Sequence, residues 1–489
     1  MDAPRVRSKA GFQARNLSLL AAPFSIAVAA IMSVYIDSGS PLDGTYRAIG
    51  LALVLVLVVE AVLIPLVGLR YAAGLAAVLV LVAFKEKEIL VALLVVSVGV
   101  ALWSRNRRQD APTRINFERA ISLGASMLLV VAIGRGVADG AFGLPTMAAK
   151  AELGEVGEGR DIIVVMLDGY PRSDTLAAGF DFDNRAFLEE LEARGLEVAD
   201  RSRSNYSLTG LTLASMFQMR HIPDIPSLAH ETRLKEGYRA LTRLLSAPLP
   251  TLETLRQHGY ETVAIPSIVN EFKLRTSDRD LDTGQMVQLE TVLLGRTLLA
   301  QIVNWIAPNL LYDQQRNRSM DAIAALEATA TDGRQQFVFA HVMLPHAPFV
   351  FGPNGEPLSQ PECLPVCSIF EPPADHDEWL RLYRDQVIFV NERLLEMIDS
   401  MRSGGADPVI VLMSDHGSRA FQAENPEEML LNFFAASTPG APGLFPDDAT
   451  PINLFPRLFG AYLDEQIDLV PERFFLPAGD GPLEIRAVE

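Results

Sequence analysis

The chain has 489 residues, more than one ordinary domain holds, and its 42 basic and 60 acidic side chains leave a net charge of -18. That balance argues against nucleic acid as a partner. Hydrophobic residues make up 49% of the chain and the mean hydropathy is +0.20, which suggests that part of it sits in a bilayer; no internal repeat, low-complexity tract or GxxxxGK nucleotide loop is found.

The apolar excess lies before residue 140. Leu17 to Ile36 is long enough to span a membrane. Ala48 to Phe84 is apolar except for Glu60 and Arg70, too long for one span, and splits near Gly68-Leu69-Arg70 into two. Ile89 to Trp103 is a fourth candidate, and Ala120 to Gly134, with Arg135 snorkelling at its end, a fifth. Glu60 is expected to pack inside the bundle rather than handle lipid head groups. Arg5, Arg7, Lys9 and Arg15 precede the first span and "RNRRQDAPTR" (105–114) precedes the last. Both basic segments belong in the cytoplasm, so an even number of spans separates them and the last span carries the rest of the chain outside. The expectation is an inner-membrane, multi-pass protein of about five spans (or three), with a cytoplasmic N-terminus and a periplasmic or extracellular C-terminal domain.

Residues 1–140 then form the membrane domain, and "AFGLPTMAAKAELGEVGEGR" (141–160) reads as a linker. From 161 to about 480, apolar strands alternate with amphipathic stretches, the pattern of an α/β domain with a mostly parallel central sheet flanked by helices. Cys363 and Cys367, in "PECLPVCSIF", are the only cysteines and are expected to form a small disulfide outside the membrane.

Four segments of this domain carry chemistry. "DIIVVMLDGY" (161–170) is a continuous apolar run, as in a strand covered on both faces, and it ends on Asp168. Ligands bind beyond the carboxyl ends of such strands, although a turn or cap residue has the same appearance. "SNYSLTGLTLASMF" (204–217) leads hydroxyl groups into a helix expected from Leu211 to Met219. A hydroxyl there is either a cap or a nucleophile placed where free N–H groups attract phosphate. Thr209 is the candidate, and spacing leaves Ser207 and Thr212 open. "QQFVFAHVMLPHAPF" (335–349) places His341 within a strand and His346 just past its end. "DPVIVLMSDHGSR" (407–419) follows a strand with Asp415 and His416, both metal-ligand types, then a glycine that lets the backbone turn beneath a site. For His341, a packed core histidine is an equal alternative.

Taken in order, "DIIVVMLDGY", the threonine before "LASMF", "LPHAPF" and "SDHG" resemble the signature segments of the alkaline phosphatase/sulfatase superfamily. The chain is most similar to its membrane-anchored transferases, the lipoteichoic acid synthases and phosphoethanolamine transferases, which also place N-terminal spans before an extracytoplasmic catalytic domain. The resemblance implies that Asp168, Thr209, Asp415 and His416 bind one divalent metal ion, zinc or manganese, and that Thr209 is the nucleophile. It implies that His346 contacts the substrate phosphate, with His341 and Arg419 as weaker substrate-binding matches. Four departures stand out. The Cys-x-Pro-x-Arg segment of true sulfatases is absent, no paired cysteines bracket the threonine, the first ligand is aspartate rather than glutamate, and no second histidine set follows "SDHG". Asp174 is a further ligand candidate, with a solvated turn as its ordinary explanation.

The function this implies is transfer of a phosphoryl-linked group, of phosphoglycerol or phosphoethanolamine type, from a membrane lipid donor to an envelope glycan or lipid acceptor through a phospho-threonine intermediate. A membrane-anchored phosphate- or sulfate-ester hydrolase is the alternative. A non-catalytic envelope assembly protein of the same fold is a third.

Overall fold

The computed structural model describes residues 9–38, 45–67, 75–76, 80, 117–138, 159–228, 234–282, 284–297, 299–329, 335–358 and 376–488. The chain divides into two units: Met1–Leu144 with Leu289–Pro308, and Pro145–Gln288 with Asn309–Glu489.

In the first unit, α1 (Lys9–Ser38) packs along α3 (Phe117–Ala138) and against α2 (Tyr46–Val67). Among the described residues α2 is the one helix long and apolar enough to cross a bilayer; its 22 residues rise about 33 Å, against a hydrocarbon core of about 30 Å. Shorter apolar stretches run from Leu20 to Ile36 in α1 and from Gly124 to Val137 in α3. The third and fourth expected spans fall largely outside the described residues. Ile26, Ala30, Val34 and Ile36 of α1 are buried, whereas Leu51, Val54, Leu57 and Val58 of α2 and Met127, Val130 and Val131 of α3 are exposed. Glu60 of α2 is buried.

The second unit begins with β1 (Ile162–Asp168), α4 (Ser173–Gly179), α5 (Arg185–Ala193), β2 (Glu197–Val198), α6 (Thr209–Gln218), α7 (Leu234–Ser246), α8 (Pro250–Gln257), β3 (Glu261–Ile265) and β4 (Arg279–Asp280). Next come α9 (Gln288–Gly295) and α10 (Leu299–Ile306), which fall in the first unit from Leu289 onward. The second unit resumes with α11 (Leu310–Thr329), β5 (Gln336–Pro345), α12 (His376–Met401), β6 (Val409–Ser414), β7 (Phe434–Ser437), α13 (Leu454–Tyr462) and the β8 (Phe474–Pro477)–β9 (Ile485–Val488) hairpin.

Seven strands form one sheet in the order β2-β7-β6-β1-β5-β3-β4. β6, β1, β5, β3 and β4 run parallel, and β7 is antiparallel to both β6 and β2. β1 is central and buried at every position. Its alternate residues feed two cores, which is why it reads as an unbroken apolar run. Ile163, Val165 and Leu167 pack with Tyr383, Val387 and Leu394 of α12. Ile162, Val164 and Met166 pack with Leu213 and Phe217 of α6 and Phe455 of α13. Helices therefore cover both faces, and Asp168 and Ser414 stand at the carboxyl ends of β1 and β6. Cys363 and Cys367 lie outside the described residues.

Candidate active site

β1 is flanked by β6 on one side and β5 on the other, so three adjacent strand ends open onto one place. Leu167 pairs with Ser414, which brings the two turns Asp168-Gly169 and Asp415-His416-Gly417 side by side. Gly169 sits at φ +68 and turns the chain immediately after the carboxylate. At Gly417 a Cβ would stand 2.3 Å from the Glu428 carbonyl oxygen and 2.5 Å from that of Leu431, so the backbone beneath the site leaves no room for a side chain. On the other flank β5 slips register between Leu167 and Asp168, and Asp168 pairs with Pro345, next to His346.

One donor atom from each of Asp168, Asp415 and His416 lies within 4.8 Å of the others, and all three residues are buried. His416 Nε2 is 3.8 Å from Asp168 Oδ1 and 3.4 Å from Asp415 Oδ2. The two carboxylate oxygens have been left available by their surroundings, whereas His416 Nε2 has Arg419 Nη2 at 3.1 Å. Asp415 Oδ1 accepts the Gly169 and His416 backbone N–H groups at 2.8 and 2.9 Å. Asp415 Oδ2 and Asp168 Oδ1 make no hydrogen bond of ordinary geometry, although both are buried. His416 Nδ1 lies 2.7 Å from the Gly417 carbonyl oxygen, which places its proton there and leaves the Nε2 lone pair facing the carboxylates. Two orphaned buried carboxylate oxygens and one imidazole nitrogen, which would exchange its Arg419 contact for the ion, form a donor set that fits a divalent cation of zinc or manganese type.

Thr209 is the first residue of α6, with Leu208 in the cap position and no side chain capping the helix. Its hydroxyl is therefore not a cap, and the free N–H groups of the first turn stand beside it. The helix starts two residues earlier than its sequence pattern indicates. The Thr209 hydroxyl acts on the Asp415 carboxylate and lowers its pKa, against the larger effect of burial. Thr212 is engaged elsewhere, donating to the Asp415 carbonyl oxygen at 2.9 Å, with Ser204 donating to the same oxygen at 2.5 Å. The Ser207 carbonyl accepts Arg419 Nη2 at 2.7 Å.

His341 does not pack among apolar side chains alone. Its Nε2 lies 3.3 Å from Asp168 Oδ2. His346 directs Nε2 toward Asp168 Oδ1 at 3.9 Å, while its Nδ1 lies 2.5 Å from the Ala347 carbonyl oxygen. Arg419 Nη2 lies 3.1 Å from His416 Nε2. Asp174 stays outside the group: it pairs with Arg172 at 2.6 Å at the start of α4.

The electrostatics follow from this crowding. Burial disfavours ionisation of Asp168, but His346, His341 and His416 together outweigh it and hold the carboxyl below the usual carboxylate range. Burial, then the Asp168 charge, pushes Asp415 up to about 7. Burial, then Arg419, pushes His416 down to about 3, so its imidazole is neutral near neutral pH.

Several supports are invisible at short range in the sequence. Gln386 of α12 donates to the Pro345 and His346 carbonyl oxygens at 3.0 and 3.1 Å and accepts the Val350 N–H at 2.8 Å, pinning the "LPHAPF" turn. The Tyr383 hydroxyl donates to the Gly169 carbonyl oxygen. Behind β1, Tyr170, Asn184 and Asn391 close a buried ring of three hydrogen bonds of 2.6–2.9 Å. Only the polar side chains of α12 that interrupt its apolar face hint at any of this.

No family model matches the sequence, and no curated protein matches it. Among solved structures, the C-terminal periplasmic domain of EcEptC from Escherichia coli is similar at 12% identity and a TM-score of 0.43, covering 69% of this chain and 94% of that one. The soluble domain of lipooligosaccharide phosphoethanolamine transferase A from Neisseria meningitidis is similar at 13% identity and a TM-score of 0.39, covering 63% and 90%. The lipoteichoic acid synthase LtaP from Listeria monocytogenes is similar at 14% identity and a TM-score of 0.40, covering 68% and 81%. At these identities and scores, the function of this chain has to be argued from its own residues.

Proposed function

We propose that the chain is a membrane-anchored, divalent-metal-dependent enzyme of the alkaline phosphatase/sulfatase type. It would transfer a phosphoryl-linked group from a lipid donor to an envelope glycan or lipid acceptor. The observation that carries this reading is the convergence of Asp168 Oδ1, Asp415 Oδ2 and His416 Nε2, buried together, with Thr209 at an uncapped helix N-terminus acting on the same Asp415 carboxylate.

Asp168, Asp415 and His416 would hold the ion, with the Thr209 hydroxyl as a further ligand. When bound, a zinc or manganese ion neutralises charge on the phosphoryl oxygens and lowers the pKa of a hydroxyl beside it. Thr209 Oγ1 would enter as the alkoxide, its proton released to water, and attack phosphorus in line. The Oγ1–P bond forms, the bond from phosphorus to the lipid oxygen breaks, and His346 Nε2 hands a proton to that leaving oxygen. The acceptor hydroxyl then attacks the phospho-threonine with His346 as base, and Thr209 is regenerated. Arg419 and the free N–H groups of α6 stabilise the anionic oxygens. With water as acceptor the same residues give the hydrolase, the second reading; the absence of the formylglycine segment from the sequence weighs against ordinary sulfate esters.

The test is to incubate the full chain with head-group-labelled membrane lipids and zinc or manganese, quench in acid, and map the adduct by mass spectrometry. A phosphoryl-linked adduct on Thr209, absent from Thr209→Ala, is expected. An adduct on Ser207 or Thr212, or none with turnover intact, overturns the assignment. Label recovered in a glycan or lipid marks transfer, and label released into solution marks hydrolysis.

A further inference from the structure

Between β4 and α11 the sequence of the catalytic domain leaves its own unit: Leu289–Pro308 clusters with the N-terminal helices. Two observations fix where this segment lies in its unit. Glu290 of α9 pairs with Arg47 through both carboxylate oxygens, at 2.7 and 2.6 Å. Arg47 is the second residue of α2, directly before the apolar run whose Leu51, Val54 and Val58 stand exposed. An arginine at that point marks the boundary between hydrocarbon and head groups, so its partner Glu290 lies at the same level.

The second observation is α10. Ile302, Trp305 and Ile306 are 52%, 85% and 69% exposed, and their i, i+3, i+4 spacing puts them on one face of the helix. Gln301 and Asn304 occupy other positions around the helix. Two isoleucines and a tryptophan held open to water on one face are explained by a medium that is apolar below and polar above. Tryptophan in particular concentrates at that boundary, where its ring is buried and its N–H stays wet.

We propose that α9–α10 is a second membrane contact of this chain, with the Ile302-Trp305-Ile306 face seated in the lipid leaflet at the Arg47 end of α2. The proposal rests on reading α2 as a membrane span and does not depend on the chemistry of the site. It gives the chain a membrane contact distant in sequence from its N-terminal helices, at the point where the segment between β4 and α11 joins the first unit.

The chain has three tryptophans, Trp103, Trp305 and Trp379. The full chain carrying Trp103→Phe and Trp379→Phe, reconstituted in phosphatidylglycerol/phosphatidylcholine vesicles, reports on Trp305 alone, and circular dichroism checks that it remains folded. Brominated acyl chains should quench its emission at least twofold, most strongly with bromines near the head group, while acrylamide quenches weakly. Strong acrylamide quenching with no effect of bromine overturns the proposal. Protection from both quenchers, with dimers by light scattering in detergent, seats a second copy on the face and overturns it too. Should the double substitution unfold the chain, Trp305→Asp compared with its parent, both carrying Trp103→Phe alone, serves: loss of most of the bromine-dependent quenching supports the proposal, and unchanged quenching sinks it. All these outcomes are read without turnover, so they stand apart from the test of the proposed enzyme.

Discussion

Asp415 carries the pH behaviour of the site. With its pKa pushed up to about 7 by burial and the Asp168 charge, it is half protonated near neutrality in the metal-free protein. Asp168 stays ionised and His416, pushed down to about 3, stays neutral. Metal binding therefore displaces one proton below pH 7 and none above it. Metal affinity should fall about tenfold per pH unit below about 7 and flatten above, by calorimetry or competition with a chelator; an affinity flat from pH 5 to 8 contradicts the pairing described here. The sign for the metal-free fold is the reverse. A carboxyl raised above its unfolded value favours folding at low pH, and that contribution is lost as pH rises through about 7. Asp415→Asn keeps the Gly169 and His416 N–H contacts through its carbonyl oxygen but removes the anionic donor. It should weaken the metal by one to several orders of magnitude, with activity partly restored by excess zinc or manganese.

At the scale of elements, the site is three strand ends, one helix start and the turns between them. The turn after β6 is the tightest, because two carbonyl oxygens of the 428–431 segment press on Gly417. Gly417→Ala should destabilise the domain by about 1–3 kcal/mol, the usual cost of overpacking, measured by urea unfolding. Gly417 is not at a positive φ, so the loss reads crowding rather than backbone strain; an alanine variant as stable as the native chain contradicts it.

At the scale of the whole molecule, the basic segments before the first and last apolar stretches are the ground for proposing that the N-terminus lies inward and everything after residue 150 outward. A reporter that works only in the cytoplasm, fused after Glu489, should be silent, and one that needs the periplasm should be active; the opposite result reverses the topology. An outward domain also gives Cys363 and Cys367 an oxidising surrounding. Thiol labelling of the unreduced, denatured protein should find neither free, and two labelled thiols would end the disulfide. The loop it closes is short, so removing it should cost little stability.

Some of this architecture was legible in the chain itself. An unbroken apolar run such as Ile162–Leu167 says that a strand is covered on both faces, because burial on two sides removes the alternation that water imposes. A carboxylate or Asp-His pair directly after such a run is therefore at a strand end, and Asp168, His346 and Asp415 were all readable as such. Sequence spacing could not say which strand ends are neighbours. That depends on sheet order, which is set by long-range pairing and packing: β1 lies between β5 and β6, chain segments more than 160 residues away. The same long-range contacts distinguish two of the hydroxyls, since the Thr212 side chain reaches the Asp415 carbonyl across 203 residues while Thr209 is left beside the carboxylate. They also recruited Gln386 and Tyr383, whose polar ends look like interruptions of a helix until α12 is laid against the "LPHAPF" and "DG" turns. And they returned Leu289–Pro308 to the N-terminal unit through the Arg47–Glu290 pair, a contact across 243 residues that no local pattern announces. Local periodicity reports whether a residue is buried, because burial acts on each side chain where it stands. Which groups meet is decided by the register and order of distant segments, and only the folded chain expresses that.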